Sequence, residues 1–122
     1  MIKIITNNPA VRDKYVVQSA YFETDVLGVY TKIRDEVHLG AEIISHPLSG
    51  SIKPWETPYK SVVIKKRSAP CDLKSLQLIE DALATLLKAT KKNYKFTQQM
   101  LEDFGIIDLD LVNSAMESPI TM

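Results

Sequence analysis

His46 stands three and five residues ahead of Ser49 and Ser51, within the stretch HPLSGSIKPWETPYKS that runs from His46 to Ser61. A histidine beside serines is the raw material of a base and a nucleophile. The spacing does not make a nucleophile elbow, however, because Pro47 occupies the position of that pattern's first glycine. The same residues suit anion binding better. Ser49, Gly50 and Ser51 can turn hydroxyls and backbone amides toward a carboxylate or phosphate, with Lys53 or Lys60 adding positive charge. Three of the chain's six prolines and its one tryptophan, Trp55, fall in this stretch. A proline-rich loop of this length between strands is expected to be shaped for a purpose rather than loose.

Other side chains with chemical potential do not assemble into motifs. The two histidines, His38 and His46, belong to different elements, and Cys71 has no second cysteine nearby, so no metal-ligand pattern exists. Cys71 precedes a predicted helix, where a thiolate would be stabilised, but an ordinary thiol is the simpler reading. A single cysteine excludes an internal disulfide framework. No metal and no cofactor is expected.

The elements that position the loop follow from patterning. Ile2, Ile4 and Ile5 predict a first strand, stopped by Thr6, Asn7, Asn8 and Pro9. Asn8 and Pro9 suit N-cap and first-turn positions, so a capped turn or short helix is expected over Pro9–Lys14. A second strand is expected from Tyr15 to about Phe22, its sense relative to the first left open by the short connection. Thr24 or Asp25 should cap a helix reaching about Leu39, with Val26, Val29, Tyr30, Ile33 and Val37 as one apolar stripe and Gly40 as its stop. A strand over Ala41–Ser45 completes a strand–helix–strand unit, for which a right-handed parallel arrangement is expected. If the first strand shares that direction, Thr6, Asn7 and Asn8 lie at the same sheet edge as His46, where open α/β folds bind ligands.

Ser61–Lys66 predicts a fourth strand, of either sense. Asp72 announces the longest helix, about Leu73 to Ala89, with a lysine cluster at its end that reads as a solvated terminus. Thr97 should cap a short helix ending at Gly105, and Asp108 a second through about Met116. This pair is no recognition motif for DNA, since its second helix carries Asp108, Asp110 and Glu117 and no basic residue. The expected fold is one α/β domain over residues 1–122: a small, mostly parallel sheet of about four strands packed by helices, with a C-terminal helical segment.

Composition sets the outer bounds. Among 122 residues, fifteen basic side chains balance fifteen acidic ones, which argues against a dedicated nucleic-acid or membrane-surface binder. Zero net charge also leaves a homodimer open. No apolar run approaches the ~18 residues of a membrane span, and MIKIITNN is too short and strand-like for a secretory signal, so a cytoplasmic location is the expectation.

The loop HPLSGSIKPWETPYKS, the Arg34–His38–Gly40 segment before it and the N-terminal MIKIITNNP together resemble the GrdX family. Its members are small proteins encoded beside glycine, sarcosine and betaine reductase components in anaerobic, amino-acid-fermenting bacteria. The resemblance covers roughly the first half of the chain. It rests on His46, Pro47, Leu48, Ser49, Gly50, Ser51, Lys53, Pro54, Glu56, Thr57, Pro58 and Tyr59. Trp55 departs from it, standing where a smaller polar residue is expected. The resemblance implies an accessory role near reductive amino-acid fermentation and brings no catalytic residues with it.

The sequence therefore supports a non-catalytic binding protein. Its expected ligand-binding residues are Thr6, Asn7, Asn8, His46, Ser49, Gly50, Ser51, Lys53 and Tyr59, contacting a small anionic ligand. Trp55 and Tyr59 are the expected anchors for a protein partner such as a reductase component. The alternative is a small enzyme acting on an anionic metabolite, with His46 as general acid or base.

Overall fold

The computed structural model describes residues 1–48, 55–91 and 94–117. The elements run β1 (Ile2–Thr6), α1 (Pro9–Lys14), β2 (Ser19–Tyr21), α2 (Val26–His38), β3 (Glu42–Ile43), β4 (Ser61–Lys65), α3 (Leu73–Lys88) and α4 (Gln98–Glu117). The four strands form one sheet in the order β2-β1-β4-β3.

The sheet is mixed, and this corrects the mostly parallel arrangement expected. β1 pairs in parallel with β2, but β4 runs antiparallel to both of its neighbours, β1 and β3. β2 and β3 do share a direction, as a strand–helix–strand unit requires. They lie at opposite edges, however, with β1 and β4 between them. The long connection after β3 lets the chain return beside it, which proline content alone could not reveal.

Alternation along the strands separates two cores. Ile5, Val62 and Ile64 face α2 and α3, where they meet Val29, Ile33, Val37, Ile79, Leu83 and Leu86. Ile4 and Val63 face the other way and meet Val11 of α1 and Val112 of α4. The sheet is thus covered by helices on both faces.

Local signals set most helix ends. Asn8, Asp25 and Asp72 cap α1, α2 and α3, each side chain accepting a backbone N–H of its helix's first turn. Gly40 ends α2 with φ of 106°, and a Cβ there would lie 2.2 Å from the Ala69 carbonyl oxygen, so glycine is required. Ser75 Oγ donates to Asp72 and accepts the Ile43 amide of edge strand β3, tying that short strand to α3. Asp72 is held below the usual carboxylate range by its hydrogen bonds from Ser75.

Two expectations at element boundaries are overturned. Val16 and Val17, expected inside the second strand, are exposed at 74% and 83%, and β2 begins only at Ser19. α1 closes through the Tyr15 amide on the Val11 carbonyl, so these valines fall in the turn that carries the chain across to a parallel neighbour. The C-terminal segment is one helix rather than two. Thr97 does cap it, through Oγ1 to the Met100 amide, but Gly105 and Asp108 lie in its interior and are buried. Among the described residues, no helix is long and apolar enough to cross a membrane.

Candidate functional site

β1 and β3 end, and β4 begins, at one edge of the sheet. Thr6 stands opposite Ser61 in the register there, and His46 follows shortly after β3. Thr6, Asn7 and Asn8 leave β1 as extended chain, so the two asparagines, being consecutive, reach to opposite sides.

Asn7 is a clamp. Its Nδ2 donates to the Thr24 carbonyl at 2.8 Å and the Pro58 carbonyl at 2.9 Å, while its Oδ1 accepts the Lys60 amide at 2.9 Å. It therefore fixes the end of the long loop to the start of α2. Asn8 turns to the other side. Its Oδ1 caps α1 through the Ala10 amide, and its Nδ2 donates at 3.0 Å to both the Gly105 carbonyl and Asp108 Oδ2.

Asp108 anchors a buried polar network. Its Oδ2 also accepts from Ser61 Oγ at 2.6 Å, and Ser61 Oγ lies 2.6 Å from Thr6 Oγ1. Each hydroxyl has one proton, so Ser61 donating to Asp108 leaves Thr6 donating to Ser61, while Thr6 Oγ1 accepts the Asn8 amide. The chain of donors ends on a carboxylate, as an ionised Asp108 requires. Burial pushes the Asp108 carboxyl above its ordinary range, against the pull of Ser61, Asn8 and the Lys60 ammonium. Lys60 is pushed the opposite way, downward, by its own burial, and the charge of Asp108 opposes that fall. A cationic and an anionic side chain thus share one poorly hydrated space.

That space opens as a cleft of about 320 Å³ between the end of β3 and α4, lined by His46, Lys60, Ser61, Asp108 and Ser114 among others. Ser45 at its back is engaged with the Val63 amide. His46 Nδ1 accepts the Leu48 amide at 3.0 Å, so a neutral His46 carries its proton on Nε2. Its remaining polar atom is then a donor, which fits an anion's oxygen and does not fit a general base.

A second and larger cleft, about 650 Å³, lies on the Asn7 side, beyond the ends of β1 and β2. Tyr21, Trp55, Tyr59, Tyr94 and Phe96 supply its aromatic walls, and Glu23, Asp25 and Lys91 its charges. Trp55 has a left-handed backbone, φ 72°, and is half-buried against the α2–α3 core. Its Nε1 donates to the Leu86 carbonyl at 3.0 Å, which pins the loop to α3. Burial raises the Tyr59 hydroxyl above its ordinary range.

The structure thus divides the residues singled out in the sequence. His46 lines the small cleft, with Thr6 and Asn8 in the network behind it, whereas Asn7, Trp55 and Tyr59 line the large one. Ser49, Gly50, Ser51 and Lys53 lie outside the described residues. The large cleft also brings in Glu23, Asp25 and Lys91, none of which sequence reasoning had linked to a site. Asp108, read from sequence as a helix cap, is the residue missed in the small cleft. Its signal was present: with Leu101, Gly105 and Val112 it falls on the inward stripe of α4, where a carboxylate needs buried partners.

Compared with protein-family models, the chain matches GrdX: GrdX-like protein, over residues 3–117. It belongs to the GrdX-like family. The match of this GrdX-like chain runs through α4, past the half that the loop and N-terminal motifs cover, so Asp108 lies within the family region as well. No curated protein and no solved structure matches it. Among the described residues no group of three histidine, cysteine or acidic side chains is placed to hold a metal ion.

Proposed function

We propose that this GrdX-like protein is a non-catalytic binding protein, an accessory to the glycine, sarcosine and betaine reductase system to which its resemblance points. Its ligand is a small anionic molecule, a carboxylate of amino-acid size, held in the His46–Lys60 cleft. The observation that supports this reading most is that Lys60 and Asp108, both buried and with ionisations shifted by burial, line one concave site, an arrangement common at functional sites. Lys60 supplies positive charge, His46 an N–H donor, and Ser114 a hydroxyl at the rim.

An enzyme using His46 as its base is a weaker reading, because Nδ1 already accepts the Leu48 amide. A reductase component docking on Trp55 is weaker too, since the indole packs inward and its N–H is engaged.

The test is a titration of the 15N-labelled chain with acetate, glycine, sarcosine, betaine and phosphate, following amide shifts. Saturable shifts are expected around residues 44–46, 60–61 and 108–115, and they should be lost in a Lys60→Met variant whose amide spectrum otherwise stays that of the folded chain. Shifts that do not saturate, or that persist unchanged in Lys60→Met, would end the proposal. Turnover of any of these compounds that disappears in His46→Ala would instead favour the enzyme.

A further inference from the structure

The geometry points to a second binding site: the large aromatic cleft takes a small organic ammonium ion, in the place where the chain's own Lys91 now lies. More than half of the chain's aromatic residues line this one cleft. Among the described residues its wall charges are two carboxylates, Glu23 and Asp25, against one ammonium, Lys91. Glu56 adds a further carboxylate beside the wall, 3.4 Å from the Tyr94 hydroxyl. Aromatic faces with a carboxylate at their margin are what a desolvated ammonium group needs, because the ring quadrupole and the fixed anion both attract it.

Lys91 shows that the site works on such a group. Its Nζ stands 5.0 Å from the centre of the Trp55 ring and 3.2 Å from Asp25 Oδ2. The pair is exposed on both sides, 58% for Lys91 and 46% for Asp25, so water competes with it and an external cation can displace it. Two features beside this cleft among the described residues could favour an anion instead, and both are already answered within the chain. The N-terminus of α2 is closed by Asp25 Oδ1 accepting the Gly28 amide. The Arg12 guanidinium lies over Tyr21 at 4.7 Å but is paired with Asp13 at 3.0 Å.

This site is independent of the small cleft, and its probe has no carboxylate. Trp55 is the only tryptophan, so emission excited at the red edge, beyond tyrosine absorption, reports on this cleft alone. The full chain is titrated with n-butylammonium chloride, which is the lysine side chain as a free molecule, with potassium chloride at equal ionic strength as control. A saturable change in Trp55 emission beyond the control is expected. Removing the internal competitor in Lys91→Met should tighten binding roughly two- to fivefold, and Glu23→Gln should weaken it by a similar factor. Circular dichroism confirms that each variant is folded, and the exposed Glu23→Gln change serves if Lys91→Met is not. The proposal is overturned if emission follows potassium chloride in both the parent chain and Lys91→Met. It is equally overturned if Lys91→Met binds no tighter or Glu23→Gln binds unchanged, since Lys91 would then be only a structural clip.

Discussion

The two clefts sit on either side of the Asn7–Asn8 step and handle charge in opposite ways. On the Asn8 side, Lys60 and Asp108 are 5% and 6% exposed, and the neighbouring polar groups Thr6, Ser61 and Asn8 are hydrogen-bonded to one another in an unbroken run. On the Asn7 side, Lys91 and Asp25 stand half in water and touch through a single contact. A buried charge that loses its partner is costly, so the first cleft must keep every member. An exposed pair is nearly neutral in free energy, so the second can exchange its cation. The lesson is that the cleft with buried charges depends on its hydrogen-bonded run, whereas the cleft with aromatic walls is permissive.

The sharpest way to break this contrast is to remove Asp108. Asp108→Ala leaves Lys60 without the carboxylate that stabilises its charge and takes the acceptor from Ser61 and Asn8. A loss of about 3 kcal/mol in stability is expected, read as a lowered urea midpoint. Lys91→Ala, the matching change in the other cleft, should stay within about 0.5 kcal/mol. Equal losses from the two changes would mean that the clefts do not differ in kind.

Much of this arrangement could be read from residues, and the remainder shows where local signals end. Asn8, Asp25 and Asp72 name their helices because capping is a contact between near neighbours in sequence. The apolar stripes of α2 and α3 are legible for the same reason. The sense of β4 is not, because a connection as long as 44–60 can serve a return or a crossover, and β3 contributes only two residues to the ladder. Gly105 and Asp108 carry the letters of a helix stop and a helix start. What they do is set by Asn8 and Ser61, about a hundred and about fifty residues earlier, and tertiary partners of that kind leave no local trace. The candidate site divides similarly: a shared direction of β1 and β3 would put Thr6, Asn7 and Asn8 at the same sheet end as His46, and it does, but Asn7 and Asn8 turn to opposite clefts because extended chain alternates.

A pH series tests the same contrast at smaller amplitude. The folded-state pKa of Asp108 is raised by burial, so the native protein holds that proton more tightly than the unfolded chain. The stability this contributes is complete below the unfolded value near 3.8 and is lost as pH rises through the raised folded value. Relative to Asp108→Asn, the parent chain should therefore gain stability as pH is lowered from neutral toward 4. Lys60, lowered by burial, adds the complementary slope: its contribution is present above 10.5 and is lost as pH falls through its depressed folded value. Urea midpoints at each pH, taken as differences from Asp108→Asn, measure the acidic arm. A difference that moves the other way would show that the Ser61, Asn8 and Lys60 contacts outweigh burial at Asp108.

A change of the opposite sign belongs to Gly105, which touches residues of both clefts. A Cβ on Gly105 would lie 3.4 Å from Asn8 Oδ1 and 3.7 Å from a Tyr59 ring carbon, both ordinary contacts. Glycine within a helix costs about 1 kcal/mol relative to alanine, since it gives up more backbone freedom on folding. Gly105→Ala should accordingly be neutral or stabilise the protein by up to about 1 kcal/mol, with both clefts intact. A helix stop in the left-handed region would instead lose stability on this change, because alanine is strained there. Thermal unfolding distinguishes the two: a melting temperature that falls would mean that α4 is interrupted at Gly105, and Asp108 would then no longer be held in the interior of a continuous helix.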